Sequence, residues 1–245
     1  MVVQGLGNVG FHAAKFLSEE DGVKVTAIIE RDGAIINDDG LDIEAVHHHR
    51  MENGGVKGFP GSEHVQDGHS ILEKECDILM PAALESQITQ ENADSIKTNL
   101  IAEAANGPLT FGADQILREK GVVIIPDAYL NAGGVTVSYF EWIKNLSHIR
   151  FGRMERRYEE AQSRGLVAAI EEATGKTLND STKGKLIAGP DEIDLVRSGL
   201  DDTMRGAYNH IRQIYIEREA VKDLRTASFV LAIERIANCY QSMEL

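Results

Sequence analysis

Three glycines near the start of the chain, Gly5, Gly7 and Gly10, stand in the spacing Gly-x-Gly-x-x-Gly directly after the apolar run Val2-Val3-Gln4. In a dinucleotide site each of them has its own task. Gly5 permits a tight turn out of a strand. Gly7 has no side chain, so a pyrophosphate can approach the backbone. Gly10 lets the following helix lie close to the strand. That helix, opening at Asn8 and Val9, offers unpaired N–H groups and a partial positive charge to phosphate oxygens. The same glycines also describe an ordinary strand-to-helix turn, and a second feature decides between the two. Residues 23–29 (VKVTAII) read as the next strand and lead into Glu30, at the spacing where a carboxylate takes the adenosine ribose hydroxyls. Arg31 follows, and its guanidinium matches phosphate geometry. The pair predicts NAD as the coenzyme, with NADP possible.

These residues need a sheet to hold them. Val2–Gln4, Val23–Ile29, Ile78–Met80, Leu100–Ala102 and Val122–Ile125 are short apolar runs. Helical patterns near Asn8–Ser18, Asp42–Glu52, Gln87–Asn92 and Ala113–Lys120 separate them. The alternation predicts an α/β, Rossmann-type, doubly wound and mostly parallel sheet. Asp32-Gly33 and Asp39-Gly40 bracket Ala34–Ile36 as a small hairpin, and the polar, glycine-rich stretch from Asn53 to Gly68 reads as a surface loop. The first strand of such a sheet is central, yet only a few residues precede Gly5, which suggests that an N-terminal portion is absent.

Beyond Asn131 the chain reads as helical. Val135–Leu146 is a helix with a β-branched start, and a helical stretch begins at Met154. Lys176–Pro190 reads as an exposed loop. Leu200, Met204, Ala207, Ile211 and Ile214 share one helix face, and a last helix runs from about Leu224 to Tyr240. The expected organisation is a dinucleotide-binding domain over 1–150 and a C-terminal helical segment over 151–245.

Composition narrows the function classes. The 245 residues carry a formal net charge of −14, against nucleic acid or an anionic membrane surface as partner. No run has the length of a membrane span. No leader peptide is visible, and the two isolated cysteines, Cys76 and Cys239, point to a reducing compartment, the cytoplasm.

Loops at the carboxyl ends of the later strands hold further candidates. Met80-Pro81-Ala82-Ala83 has the small residues an adenine and ribose would need, or is a plain turn. Asn106, in Ala102-Glu103-Ala104-Ala105-Asn106-Gly107-Pro108, could bond the nicotinamide ribose or simply tolerate a left-handed turn. Asn131 carries the donor and acceptor that match a carboxamide, or caps a helix beside Gly133-Gly134. His47-His48-His49 are adjacent helical positions that point in different directions, so a solvated surface is favoured over a metal site. Tyr139, Phe140 and Trp142 read as core.

The stretches 2–10 (VVQGLGNVG), 102–108 (AEAANGP) and 131–142 (NAGGVTVSYFEW) closely resemble the coenzyme domain of glutamate dehydrogenases. Ser198-Gly199-Leu200 and Asp223-Leu224-Arg225-Thr226-Ala227 are similar to that family's C-terminal helices. The resemblance implies NAD(P)-dependent oxidative deamination of L-glutamate to 2-oxoglutarate and ammonia by a homo-oligomeric enzyme. Gly5, Gly7, Asn8, Val9 and Gly10 would hold the pyrophosphate and Glu30 the adenosine ribose, with Arg31 beside it. Ala82 and Ala83 would line the adenine side, Asn106 would meet the nicotinamide ribose, and Asn131 the carboxamide. Ser138 would hold the substrate's side-chain carboxylate. The family's catalytic lysine and aspartate belong to an N-terminal domain that this chain does not carry, so no catalytic residue is assigned. Two other readings compete: a non-catalytic nucleotide-binding module such as a split paralogue, and a dehydrogenase of branched-chain or aromatic amino acids.

Overall fold

The computed structural model describes residues 1–147, 153–187 and 192–243. The order of elements is β1 (Val2–Gln4), α1 (Asn8–Glu19), β2 (Ala27–Glu30), β3 (Gly33–Ile36), α2 (Ile43–Asn53), β4 (Glu63–Val65), β5 (Cys76–Pro81), β6 (Thr98–Ala102), α3 (Phe111–Glu119), β7 (Val123–Ile125) and α4 (Asp127–Leu130). The helices α5 (Ala132–Ser147), α6 (Arg153–Thr174), α7 (Asp180–Ile187), α8 (Glu192–Glu217) and α9 (Leu224–Ser242) follow.

The seven strands form one sheet in the order β4-β3-β2-β1-β5-β6-β7. β2, β1, β5, β6 and β7 are parallel, and β3 and β4 extend one edge antiparallel. A parallel strand is covered on both faces, which is why Val2 and Val3 are both fully buried although they point to opposite sides. Val2, Ile29, Leu79 and Ile101 pack with Ala113 and Leu117 of α3 on one face. Val3, Ile28, Ile35 and Met80 pack with Ala14 of α1 and Val46 of α2 on the other. The chain leaves β1 toward β2 and later returns to β1's other side as β5. That reversal opens a crevice at the carboxyl ends of β1 and β5, the place where doubly wound sheets take ligands.

Three expectations are corrected. The stretch 53–68 contains β4, a three-residue edge strand whose pairing comes from β3 (Ala34 opposite Val65) rather than from any apolar alternation of its own. Gln87–Asn92 is not a helix. Its side chains turn the backbone instead: Asn92 Oδ1 accepts from the Thr89 N–H and Asn92 Nδ2 donates to the Gln87 carbonyl. Within Lys176–Pro190, Asp180–Ile187 is helical, with Asn179 Oδ1 accepting from the Thr182 N–H, while 188–190 lie outside the described residues. In addition β2 is shorter than Val23–Ile29 and begins at Ala27.

Two compact units emerge, Met1–Ala132 with Asn209–Leu245, and Gly133–Tyr208. The first contains the whole sheet. In it the end of α8 and α9 close a small apolar cluster of Ile211, Ile214, Val221 and Ala227. In the second unit Phe140 of α5 lies against Gly199 of α8, where a Cβ would come within 3.4 Å of its ring. Tyr139 and Trp142 of α5, read from sequence as core, are 54% and 55% exposed, their rings tilted together at 5.8 Å. Among the described residues, no helix is long and apolar enough to cross a membrane.

Candidate functional site

The first loop of the site is built around its glycines. Gly5 adopts φ +88°, a left-handed conformation, and a Cβ there would stand 2.8 Å from Ala83 Cβ. Its N–H donates to the Ile29 carbonyl at 2.7 Å, which ties the turn to β2. A Cβ on Gly10 would stand 1.9 Å from the Gly5 carbonyl oxygen, so α1 can approach β1 only with glycine here. Gly7 differs: a Cβ would meet nothing within 4 Å. Gly7 is the N-cap of α1 and offers no side chain, and no acidic residue occupies the first turn. Among the described residues no group accepts from the N–H of Asn8, Val9 or Gly10. The result is a free helix N-terminus beneath open space, with the electrostatics that favour a phosphate.

Glu30 ends β2, and its side chain is only 9% exposed. Oε1 accepts from the Leu6 N–H at 2.7 Å and from Arg50 Nε at 2.9 Å. The carboxylate therefore braces the glycine loop from behind, and among the described residues its Oε2 has no partner. Arg31 is exposed. The guanidinium lying against Glu30 is Arg50, in the last turn of α2, a residue that sequence reasoning did not single out. Ala82 and Ala83 follow β5: the Ala82 N–H donates to the Gln4 carbonyl at 2.8 Å, and Ala83 Cβ faces Gly5.

Two further carboxyl-end loops bring Asn106 and Asn131 together. Asn131 Nδ2 donates to Asn106 Oδ1 at 2.8 Å. Asn106 is exposed and Asn131 half-buried, so both amides keep capacity for another partner. Beneath them lies a charged cluster that sequence reasoning missed. Glu103, fully buried, accepts from Arg225 Nη2 at 2.6 Å through Oε1 and from the Asp127 N–H at 2.8 Å through Oε2. Arg225 Nη1 also donates to Asp127 Oδ1 at 3.0 Å, and its Nε lies 3.3 Å from Asp114 Oδ1. Burial pushes the Glu103 carboxyl above its ordinary value, with the Arg225 guanidinium and the Asp127 N–H pulling the other way. Glu103 and Arg225 both stood in motifs noted for resemblance, but nothing local in sequence announces a pair 122 positions apart.

Ser138 sits exposed on α5 in the second unit, its hydroxyl donating to the Gly134 carbonyl at 3.0 Å. The three adjacent histidines diverge: His47 stacks on Phe11, His48 pairs with Glu52, and His49 faces Phe59 edge-on.

Comparison with known proteins agrees with this architecture. Residues 1–195 match the model of the Glutamate/Leucine/Phenylalanine/Valine dehydrogenase family. The chain is 48% identical over 237 residues to a probable glutamate dehydrogenase of Sinorhizobium fredii, covering 97% of this chain and 54% of that protein. It is 49% identical over 242 residues to the mitochondrial glutamate dehydrogenase of Dictyostelium discoideum, covering 99% and 48%. It thus spans about half the length of the curated relatives it matches. Among solved structures, a hetero-hexameric glutamate dehydrogenase from Thermus thermophilus superposes with a TM-score of 0.72 at 23% identity, over 96% of this chain and 45% of that one, a likeness of fold. The glutamate dehydrogenase of Peptoniphilus asaccharolyticus does so with a TM-score of 0.63 at 28% identity, over 99% and 46%. The glycine loop, the sheet order and these matches together make this chain a member of the glutamate/leucine/phenylalanine/valine dehydrogenase family.

Proposed function

We propose that this chain is the NAD(P)-binding part of a glutamate dehydrogenase. The observation that carries the reading is the open N-terminus of α1: three N–H groups without acceptors among the described residues, at a glycine whose missing side chain leaves the approach clear. These residues fit a dinucleotide. Asn8, Val9 and Gly10 donate to the pyrophosphate. Glu30 Oε2 accepts from the adenosine ribose hydroxyls, while Oε1 keeps the loop in place. Ala82 and Ala83 leave room for the adenosine. Asn106 meets the nicotinamide ribose and Asn131 the carboxamide. The coenzyme, once bound, supplies the hydride acceptor. The protein's contribution is orientation, since hydride transfer requires donor and acceptor held at contact distance.

Glutamate as substrate is supported by the curated relatives, both described as glutamate dehydrogenases. Ser138 supplies a hydroxyl for the distal carboxylate. NAD is the preferred coenzyme and NADP is accepted. The whole protein acts as a homo-oligomer in the cytoplasm. The chain by itself binds coenzyme without turning over glutamate, because the lysine and aspartate that would move protons at the substrate are not among its motifs.

A fluorescence titration with NADH, paired with an assay of NADH formation from glutamate, tests this. Saturable binding with no turnover by the chain is the expected outcome. Absence of binding would overturn the reading, and so would turnover at an ordinary enzyme rate of about 1 s⁻¹ or more.

A further inference from the structure

We propose that Arg225, on the C-terminal helix α9, is the positioning residue for the nicotinamide half of the site, acting through Asp127 on the Asn106–Asn131 pair. The inference rests on the dinucleotide reading above.

The placement of Arg225 runs against its local interest. It lies in the first turn of α9, which has no acidic residue and is the positive end of a helix. A cation there gains nothing from its own helix. It instead reaches three carboxylates from three other elements: Glu103 after β6, Asp114 on α3 and Asp127 on α4. Asp114 is bridged further by Arg118, which also pairs with Asp223, the N-cap of α9. A buried ionic group of this size is a weak device for stability, since desolvation opposes the attraction and apolar residues of similar volume often do as well. What it does supply is fixed geometry.

The geometry converges on Asp127. Its Oδ1 is held by Arg225 Nη1 at 3.0 Å, and its own N–H is held by Glu103 Oε2 at 2.8 Å. Thus clamped, Asp127 makes one side-chain contact to the neighbouring loop and one backbone contact that closes α4. Oδ2 accepts from the Gly107 N–H at 2.8 Å, and its carbonyl accepts from the Asn131 N–H at 2.9 Å. Gly107 has φ +53°, and the residue before it is Asn106. One aspartate therefore fixes the backbone at or next to both amides, which then meet at 2.8 Å. The Ala128 N–H shares Oδ1 at 2.8 Å from within α4, and the guanidinium is the side chain that ties this carboxylate to α9. Side-chain amides at a surface lose conformational freedom when they bind, and a clamp beneath them reduces that cost beforehand.

The test separates the two halves of the ligand. ADP carries the adenosine and the pyrophosphate but neither the nicotinamide nor its ribose. Dissociation constants for NADH and ADP are measured on the parent chain, on Arg225→Met and on Arg225→Lys. Arg225→Met should leave ADP binding unchanged and weaken NADH roughly three- to tenfold, the worth of one or two ordinary hydrogen bonds. Arg225→Lys should show a similar selective loss, because one ammonium cannot satisfy three carboxylates in a planar fork. It also serves should Arg225→Met fail to fold. A folded variant that keeps the parent's NADH-to-ADP ratio overturns the proposal. Parallel loss of both ligands overturns it too, since that marks a purely structural role. A parent that binds ADP and NADH equally overturns the assignment of the amide pair. A parent that binds neither removes the dinucleotide reading itself, a distinct failure.

Discussion

Gly7 and Gly10 are three residues apart, at the N-cap and in the first turn of α1, yet replacing each by alanine should do opposite things. At Gly10 the new methyl would stand 1.9 Å from the Gly5 carbonyl oxygen. That atom is backbone and cannot rotate away, so α1 must retreat from β1. Overpacking of this kind costs about 1–3 kcal/mol, and an obstacle made of backbone puts Gly10→Ala at about 3 kcal/mol. For a chain of this size that is a fall in Tm of roughly 6–12 °C. At Gly7 the methyl meets nothing within 4 Å, and φ is −72°, which alanine adopts freely. Alanine is the poorer N-cap by less than about 1 kcal/mol, but it removes about 0.4–1 kcal/mol of unfolded-chain freedom. The two effects offset, and the melting point should hardly move. With the pyrophosphate placed as proposed, on the Asn8 and Val9 N–H groups, the methyl would crowd its approach. Losing one charge-assisted hydrogen bond there costs about 1.5–3 kcal/mol, which is at least about tenfold in NADH affinity. Thermal denaturation and NADH titration on both variants form the assay. The reasoning is refuted if Gly7→Ala binds NADH as the parent does, or if Gly10→Ala melts at the parent's temperature.

Further expectations concern the coenzyme and pH. Arg50 stands 2.9 Å from Glu30 and should moderate its repulsion of a 2′-phosphate; Arg50→Ala should weaken NADPH more than NADH in parallel titrations, and an equal effect on both would count against this. Asn131→Ala should weaken NADH by about 1–3 kcal/mol, the cost of leaving polar partners unpaired; unchanged affinity moves the carboxamide contact elsewhere. Burial opposes ionisation of Asp32, but the N–H groups of Lys57, Val56 and Asp32 itself, with the neighbouring His64, together outweigh it and hold the carboxyl below its ordinary 3.8. A depressed value gives stability that is present above 3.8 and lost as pH falls through the folded value. The stability gap between parent and Asp32→Asn, followed by denaturant melts, should therefore close toward acid; a gap independent of pH would contradict the assignment.

The features that sequence made legible are those whose cause is local. The Gly5, Gly7 and Gly10 spacing encodes a turn whose geometry appears as expected, and the helical pattern near Asp42–Glu52 appears as α2. Asn106 and Asn131 were separately readable as amides at strand ends, and the sheet brings them into contact. Features whose cause lies elsewhere in the chain stayed hidden. Glu63-His64-Val65 has no apolar alternation, and only the edge of β3 makes it a strand. Lys183-Gly184-Lys185 gives α7 the composition of a loop, although Asn179 caps it by accepting from the Thr182 N–H. Arg50 and Arg225 reach their carboxylates 20 and 122 positions away, and no periodicity reports such a pairing. Tyr139 and Trp142 are apolar by type and exposed by placement, a difference that residue type alone does not encode.

As proposed, a nicotinamide dinucleotide lies across the carboxyl edge of this sheet, with its pyrophosphate on the N-terminus of α1. The most direct test is to follow backbone and side-chain amide resonances of the chain as NADH is added. The Asn8 and Val9 backbone N–H groups and the side-chain amides of Asn106 and Asn131 should move most, and saturate together. Movement centred instead on the amino edge of the sheet, around Cys76, Lys97 and Lys120 where a cavity of about 780 Å³ opens, would contradict it.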